Sequence, residues 1–520
     1  MCMKIETKNQ IEKHFRNTER LIRLISKDKI AKWLLCEGYY PEPYVLPPSF
    51  RVSNFKFNNN LYLDLYKLKR QKLVKIEYPK SLLTYRTFGI QHPCNYHDIV
   101  NSLLSEWTSV IDHLFHKDLK IFSYSFPIPV DYNKETQLSP LRSGRMIYEW
   151  ITMAEKDLVI EAHKYKHIVR TDITNFYNSV YTHSIPWALH GVEDSFKDKD
   201  KCTLIGNKID RLIQYANYGR TNGVPVGPVV SDLIAEIILG RVDLNVSRNL
   251  KGKDFIATRF KDDYRVLCHS EDDAKEILQV LADELNCYNL LINENKTKIL
   301  NLPNGLYRQH NRAYFPNSLK KLRKITFQEF EYSLLKVLDI HKEFPGTSLI
   351  EKFLSELYTK DFILKLTFSD NKVQKEKEIY KTYSLLILAK RESEKVLCHV
   401  LAIIELIYKS NNSELDLKTY TKEFIQLEII QANEKQSVFE LTWYLYFSRY
   451  MGLGITDIWF RKKVLKELRD NLFLKSIFNS RQEFFKDSGV NLFTKPKDCR
   501  NTLLVNRLAV FNRTNNDFDS

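Results

Sequence analysis

The chain has 520 residues, 43% of them hydrophobic and 12% aromatic, enough apolar surface for two or three buried cores and too much for a disordered chain. Its formal charge of +15 favours a polyanionic partner such as nucleic acid or nucleotide phosphates, with a merely Lys-rich surface as the alternative. None of the eight cysteines forms a CxxC pair, the N-terminus has no apolar leader segment, and no stretch approaches the roughly 18 apolar residues of a membrane span. Zinc-ribbon, disulfide-framework and membrane-spanning classes are therefore disfavoured, and a reducing, cytoplasmic location is expected.

Residues 1–40 read as charged helix, and the Pro-rich stretch YPEPYVLPP at 40–48 reads as a linker. A basic, aromatic segment follows from Phe55 to about Arg86, then an amphipathic helix over 95–117. A Pro- and Gly-punctuated stretch at 126–144 leads into a helix beginning MIYEW. From Lys166 to about Leu302 strands alternate with helices. KHIVRTDI is a β-branched strand, and THSIPWALHG is a helix with Pro186 near its start and Gly191 past its end. PVVSDLIAEIIL has helical spacing; DFIATRF and YRVLCHS alternate at period two about a KDD tip, predicting a hairpin. Ser270 and Asp273 predict a helix cap, and LLINENKTKIL predicts strand, turn and strand. After about residue 325 the pattern is consecutive amphipathic helices, consistent with an irregular helical repeat. Val464, Leu465, Leu468 and Leu472 beside Arg461, Lys462, Lys463 and Lys466 predict one helix there with an apolar and a basic face.

The paired carboxylates Asp262 and Asp263 at the hairpin tip carry the functional argument. Taken alone they would be a solvated turn. Metal-dependent phosphoryl transfer needs oxygen ligands that converge on divalent cations from neighbouring strands. Asp172, ending the IVRT run, is the candidate for the third carboxylate; a simple strand terminator is the competing reading.

In order along the chain stand Asp172 with Tyr177 five residues on, the loop GVPVGP, the box Phe260-Lys261-Asp262-Asp263, and Asn293, Lys296 and Thr297 in a polar turn. This order resembles the palm of reverse transcriptases, with Phe260 in place of the tyrosine of the YxDD box and Val226 in place of the glutamine of xPQGxxxSP. SPLRSGRMIYEW, FYNSVYTHSIPWALHG and RFKDDYRV further resemble the bacterial abortive-infection and defence-associated reverse transcriptases.

The resemblance implies an α+β fold: a right-hand polymerase core of fingers and palm followed by an all-α helical-repeat domain. The implied divisions are an N-terminal extension and linker at 1–48, fingers at 49–165, palm at 166–324 and helical repeats at 325–520. It implies Asp172 and Asp262 as main ligands of two Mg2+ ions, replaceable by Mn2+, with Asp263 auxiliary and Ile173 lending a backbone carbonyl. Tyr177 is implied as the gate beneath the incoming sugar, with a packing aromatic as the competing role. Gly223 and Gly227 would let the backbone approach the nucleotide beside Val226 and Phe260. Lys296 would neutralise or protonate the departing pyrophosphate, and Arg142 and Arg145 would grip the triphosphate. The runs at 67–75 and 320–324 would meet strand phosphates.

Implied partners are dNTPs, an RNA or DNA strand, a dedicated non-coding RNA or a protein primer, and further copies of the chain, in defence against phage. Two other readings stay open. Val226 removes an amide that ordinarily holds the nascent pair, which suits template-independent addition. A catalytically idle palm would serve as a nucleic-acid-binding scaffold, against which stand the three intact carboxylates.

Overall fold

The computed structural model describes residues 9–65, 69–81, 84–139, 144–412, 414–508 and 511. Near its centre lies a five-stranded sheet built from β3 (Ile121–Ser123), β4 (His167–Asp172), β5 (Ile256–Phe260), β6 (Asp263–Cys268) and β7 (Lys298–Asn301), in the order β3-β5-β6-β4-β7. β3 runs parallel to β5; the other pairs are antiparallel. Two further strands, β1 (Val74–Ser81) and β2 (Thr84–Ile90), form a separate antiparallel hairpin in the basic, aromatic segment where no strand is predicted.

The central strands β5 and β6 are buried on both faces. Ile168, Val266 and Leu267 are buried, and the helices Val229–Asn249 and Glu271–Asn286 pack on the strands and on each other. The 271–286 helix begins where predicted, with Ser270 Oγ accepting from the Asp273 amide at 3.1 Å. The helix Ser184–His190 ends at Gly191, whose φ of +81° a β-carbon would oppose.

The strands β8 (Ile325–Thr326) and β9 (Leu366–Thr367) form one short parallel pair with each other; the other regular elements described after residue 326 are helices. Leu397–Asn411 and Val438–Met451 are buried along almost their whole length, so they form the axis around which the other helices lie. The single helix expected from Val464 to Leu472 does not form. The chain breaks into Asp457–Lys463, Lys466–Arg469 and Leu472–Asn479, because Val464 turns inward in extended backbone while Leu465 is left exposed.

The Pro-rich stretch is packed as a strap. Tyr39, Tyr40, Val45 and Leu46 are buried. Tyr40 Oη donates to the Leu492 carbonyl at 2.7 Å, and Trp443 Nε1 donates to the Val45 carbonyl at 3.4 Å. Backbone bonds join Ser53 to Asn491 and Thr494 to Ser49. Proline marks this segment because it suits an irregular path with fixed φ, and aromatic burial then ties that path to the C-terminal helices. The β1–β2 hairpin is tied to the same helices: Tyr78 meets Phe439 edge to face with centroids 5.2 Å apart.

Glu351 lies in the first turn of the helix Leu349–Ser355, buried, with its Oε2 unbonded among the described residues. Burial pushes its carboxyl up to about 7. A raised carboxyl contributes stability that is complete below its ordinary range and is lost as pH rises through about 7. Glu351→Gln, which cannot ionise, is therefore expected to be more stable than the unaltered chain at pH 8, by about 1–3 kcal/mol, and to lose that advantage by pH 4.5. Urea unfolding at the two pH values checks it; a difference independent of pH would contradict the assignment.

Candidate active site

The carboxylates meet at one end of the sheet. β5 and β6 are joined by the two-residue turn Lys261-Asp262, with Phe260 opposite Asp263. Lys261 takes a φ of +53°, as such tight turns require and as few lysines adopt. In β4, register places Asp172 directly opposite Asp263. The Ile173 amide donates to the Asp262 carbonyl at 3.2 Å, fastening the turn to the end of β4.

Burial, followed by the neighbouring Asp263 and Asp172 charges, pushes the Asp262 carboxyl up to about 6. Burial and Asp172 raise Asp263 as well. Lys296 Nζ donates to Asp172 Oδ2 at 2.7 Å. Burial works against the Lys296 charge, but the bond to Asp172 and the charges of Asp172, Asp263 and Asp262 together outweigh it and raise the ammonium above its ordinary range. Asn293 closes the turn, its amide donating to the Asp172 carbonyl at 2.7 Å.

Among the described residues no three His, Cys, Asp or Glu side chains close around a single point as they stand. The donor set nevertheless fits hard divalent cations. It offers only oxygen, and Asp262 and Asp263, both raised toward protonation by burial and like charge, are groups whose ionised form a cation would favour.

Tyr177 is half-buried in the short helix Phe176–Ser179, and its hydroxyl donates to Asp232 Oδ1. Its carbonyl accepts from the Val224 amide at 2.9 Å, which brings the GVPVGP loop to the site. Val226 is half-buried, and its carbonyl accepts from Gly89 at the end of β2 at 3.0 Å. Gly227, expected to approach the nucleotide, is required by protein packing. Its φ is +121°, and a β-carbon there would lie 2.9 Å from Phe88 Cδ1 and 3.2 Å from Pro41 Cβ. Phe260 stacks on Trp150 with centroids 5.5 Å apart. Arg145 falls in the first turn of the helix Gly144–Thr152, and Arg142 lies outside the described residues.

Below the turn lies a buried ionic cluster that spacing alone did not reveal. Arg259 donates to Glu236 through both terminal nitrogens, at 2.8 and 3.1 Å, and to Asp243 Oδ2 through Nε at 2.8 Å. It also donates to the Lys261 carbonyl at 3.1 Å. Ser125 Oγ accepts from the Lys261 amide at 2.8 Å and donates to Glu236 at 2.7 Å. The available signal was the positions of Asp232, Glu236 and Asp243, which share one face of the 229–249 helix.

A family model for reverse transcriptase (RNA-dependent DNA polymerase) matches residues 64–332, just over half of the chain, and spans every residue of this cluster. The chain belongs to the reverse transcriptase family. Members of this family use divalent metals and bind an RNA template. Among solved structures, the chain is similar to telomerase from Candida albicans in complex with a fragment of telomeric RNA, at 13% identity and a TM-score of 0.30, over 70% of this chain and 65% of that one. It is also similar to apo telomerase from Candida tropicalis, at 12% identity and a TM-score of 0.33, over 79% of this chain and 68% of that one. The chain thus spans slightly less than two thirds of the first of these telomerases. No curated protein matches the sequence. Among the described residues no helix is long and apolar enough to cross a membrane.

The contacts at Gly227 make a direct prediction for the reverse transcriptase loop. Gly227→Ala is expected to cost about 1–3 kcal/mol of stability, from backbone strain and the clash with Phe88. Urea unfolding measures it, and a variant as stable as the unaltered chain would show that the loop yields freely.

Proposed function

We propose that the chain is a DNA-synthesising enzyme that adds dNTPs to a nucleic-acid strand by two-metal phosphoryl transfer and acts in defence against phage. The polymerase reading is carried by the β4–β6 register, which sets Asp172 opposite Asp263 with Asp262 in the adjoining turn. The defence reading rests on the sequence phrases around Arg142, Tyr181 and Asp262. In this reading 1–48 form an N-terminal extension, 49–165 a fingers-like region, 166–324 the palm and 325–520 a helical region.

Two bound Mg2+ ions, or Mn2+ in their place, supply neutralisation of phosphate charge and of the attacking and leaving oxygens. Asp172 and Asp262 are the residues that would hold them, with Asp263 auxiliary and Ile173 contributing its carbonyl. Lys296, already beside Asp172, offers its ammonium to the departing pyrophosphate. Arg142 and Arg145 take the triphosphate, and Tyr177 stands beneath the sugar and excludes a 2′-hydroxyl. Phe260, Val226 and Gly227 line the nucleotide position. The strand partner is RNA or DNA, a dedicated non-coding RNA or a protein hydroxyl serves as template or primer, and the active form is a homo-oligomer.

Val226 favours a second reading. Its half-buried, branched side chain has no hydrogen-bonding atom to offer a template–nucleotide pair, which suits short-repeat, homopolymeric or untemplated synthesis.

One experiment tests both. The purified full chain is given dNTPs, Mg2+ and a primed heteropolymeric RNA, and the product is sequenced. Incorporation is expected to fall about 100-fold or more in Asp172→Asn and in Asp262→Asn, because charge at these positions carries most of the catalysis. Retention of activity in either variant would reject the site. Long complementary product would reject the untemplated reading, and low-complexity product would support it.

A further inference from the structure

Tyr177 is held at both ends. Its backbone carbonyl accepts from the Val224 amide at 2.9 Å, and its hydroxyl donates to Asp232 Oδ1. An aromatic side chain has two torsions, so fixing the backbone and the far end of the ring leaves it a single pose. The phenol is the donor in this bond: burial, and then the Asp232 charge, raise its ionisation well above the ordinary value. Phe176, edge-on with centroids 5.2 Å apart, packs beside the ring.

Asp232 is itself anchored. It sits in the first turn of the 229–249 helix, and Lys261 Nζ lies 3.2 Å from the same Oδ1. Lys261 is the residue before Asp262 in the turn, and its ammonium lies 5.9 Å from the centre of the Tyr177 ring. One carboxylate oxygen therefore ties the aromatic ring to the turn that carries the metal-binding aspartates. Counting from Pro225, Asp232 stands where the pattern xPQGxxxSP has its final proline, so this carboxylate is a departure of the present chain from that pattern.

We propose that Asp232 is a specificity-determining residue: by accepting the Tyr177 hydroxyl it fixes the ring against the incoming sugar and thereby sets the choice between deoxyribose and ribose. The inference rests on Tyr177 being the sugar gate. A 2′-hydroxyl is admitted only if the ring moves aside, and moving it breaks the bond to Asp232. Selectivity thus includes the strength of that bond as well as the bulk of the ring. Asp232 is a positioning residue, since it acts through Tyr177 and touches no substrate.

The test is the ratio of rNTP to dNTP incorporation by the full chain at matched concentrations. Tyr177→Ala is expected to raise the ratio strongly. Asp232→Ala and Tyr177→Phe are each expected to raise it about 3- to 10-fold, the equilibrium worth of one buried hydrogen bond. The double variant Tyr177→Phe with Asp232→Ala is expected to match Tyr177→Phe in ratio, since both remove the same bond. Asp232→Asn keeps an acceptor oxygen and is expected to restore a ratio near that of the unaltered chain, whatever it does to total incorporation. A ratio unchanged in Tyr177→Ala would overturn the gate itself. A ratio raised in Tyr177→Ala but unchanged in both Tyr177→Phe and Asp232→Ala would leave the gate standing and overturn the role of Asp232.

Discussion

The buried guanidinium of Arg259 is the interaction on which the site depends. Its side chain is 1% exposed, and Glu236 and Asp243 beside it are 6% and 2% exposed. Burying three charges is costly unless geometry and hydrogen bonds satisfy each of them. Here Arg259 uses one nitrogen on Asp243, two on Glu236 and a further bond on the Lys261 carbonyl, while Tyr264 donates to the remaining Asp243 oxygen and Ser123 and Ser125 each add a second bond to a Glu236 oxygen. Burial pushes Asp243 up to about 6 even with Arg259 beside it. Removing one partner would leave uncompensated charge worth about 3–5 kcal/mol. What the cluster supports is a turn in strained backbone: Lys261 at a φ of +53°, with its amide and carbonyl both held. Asp262 follows immediately, so its placement is inherited from charges that are themselves buried beneath the turn.

Around this anchor the electrostatics are layered. The chain as a whole carries +15, which draws polyanions, yet the sheet end gathers Asp172, Asp262 and Asp263. Phosphates attracted to the body would be repelled there without cations in between. Lys296 on Asp172 is one such cation built into the chain, and Lys261 on Asp232 is another. Both are turn lysines, and each neutralises a carboxylate carried by a different element: Lys296 that of Asp172 at the end of β4, and Lys261 that of Asp232 on the 229–249 helix.

The C-terminal helices are joined to the polymerase core through aromatic burial. The strap at 39–54 and the β1–β2 hairpin both end on the Val438–Met451 helix or the segments packed beside it. Because β2 also meets the GVPVGP loop, through the Gly89 amide on the Val226 carbonyl and Phe88 against Gly227, a continuous packed path runs from the C-terminal helices to the loop that touches Tyr177.

The sequence by itself determined the features that are local. Period-two alternation about KDD defined the hairpin, β-branched residues defined β4, and the Ser270 cap and the Pro186–Gly191 pair marked helix ends, because each rests on interactions within a few residues. The order of Asp172, Tyr177, Asp262 and Lys296 pointed to the family through its resemblance to the motif order of the reverse transcriptase palm, which the linear sequence carries without any contact being known. Tertiary structure alone decided which residues face one another. Asp172 lies opposite Asp263 through a strand register that a slip of one residue would reverse. Arg259 reads as an ordinary strand arginine until the helix Val229–Asn249 supplies two buried carboxylates from 16 and 23 residues away. The strap reads as a linker because proline and tyrosine are common in loops, and its burial comes from helices some 400 residues distant. The apolar run at 464–472 fails as one helix because Val464 is drawn into the core out of helical phase. In each case the deciding energy comes from a partner far along the chain, and local pattern carries no record of that partner.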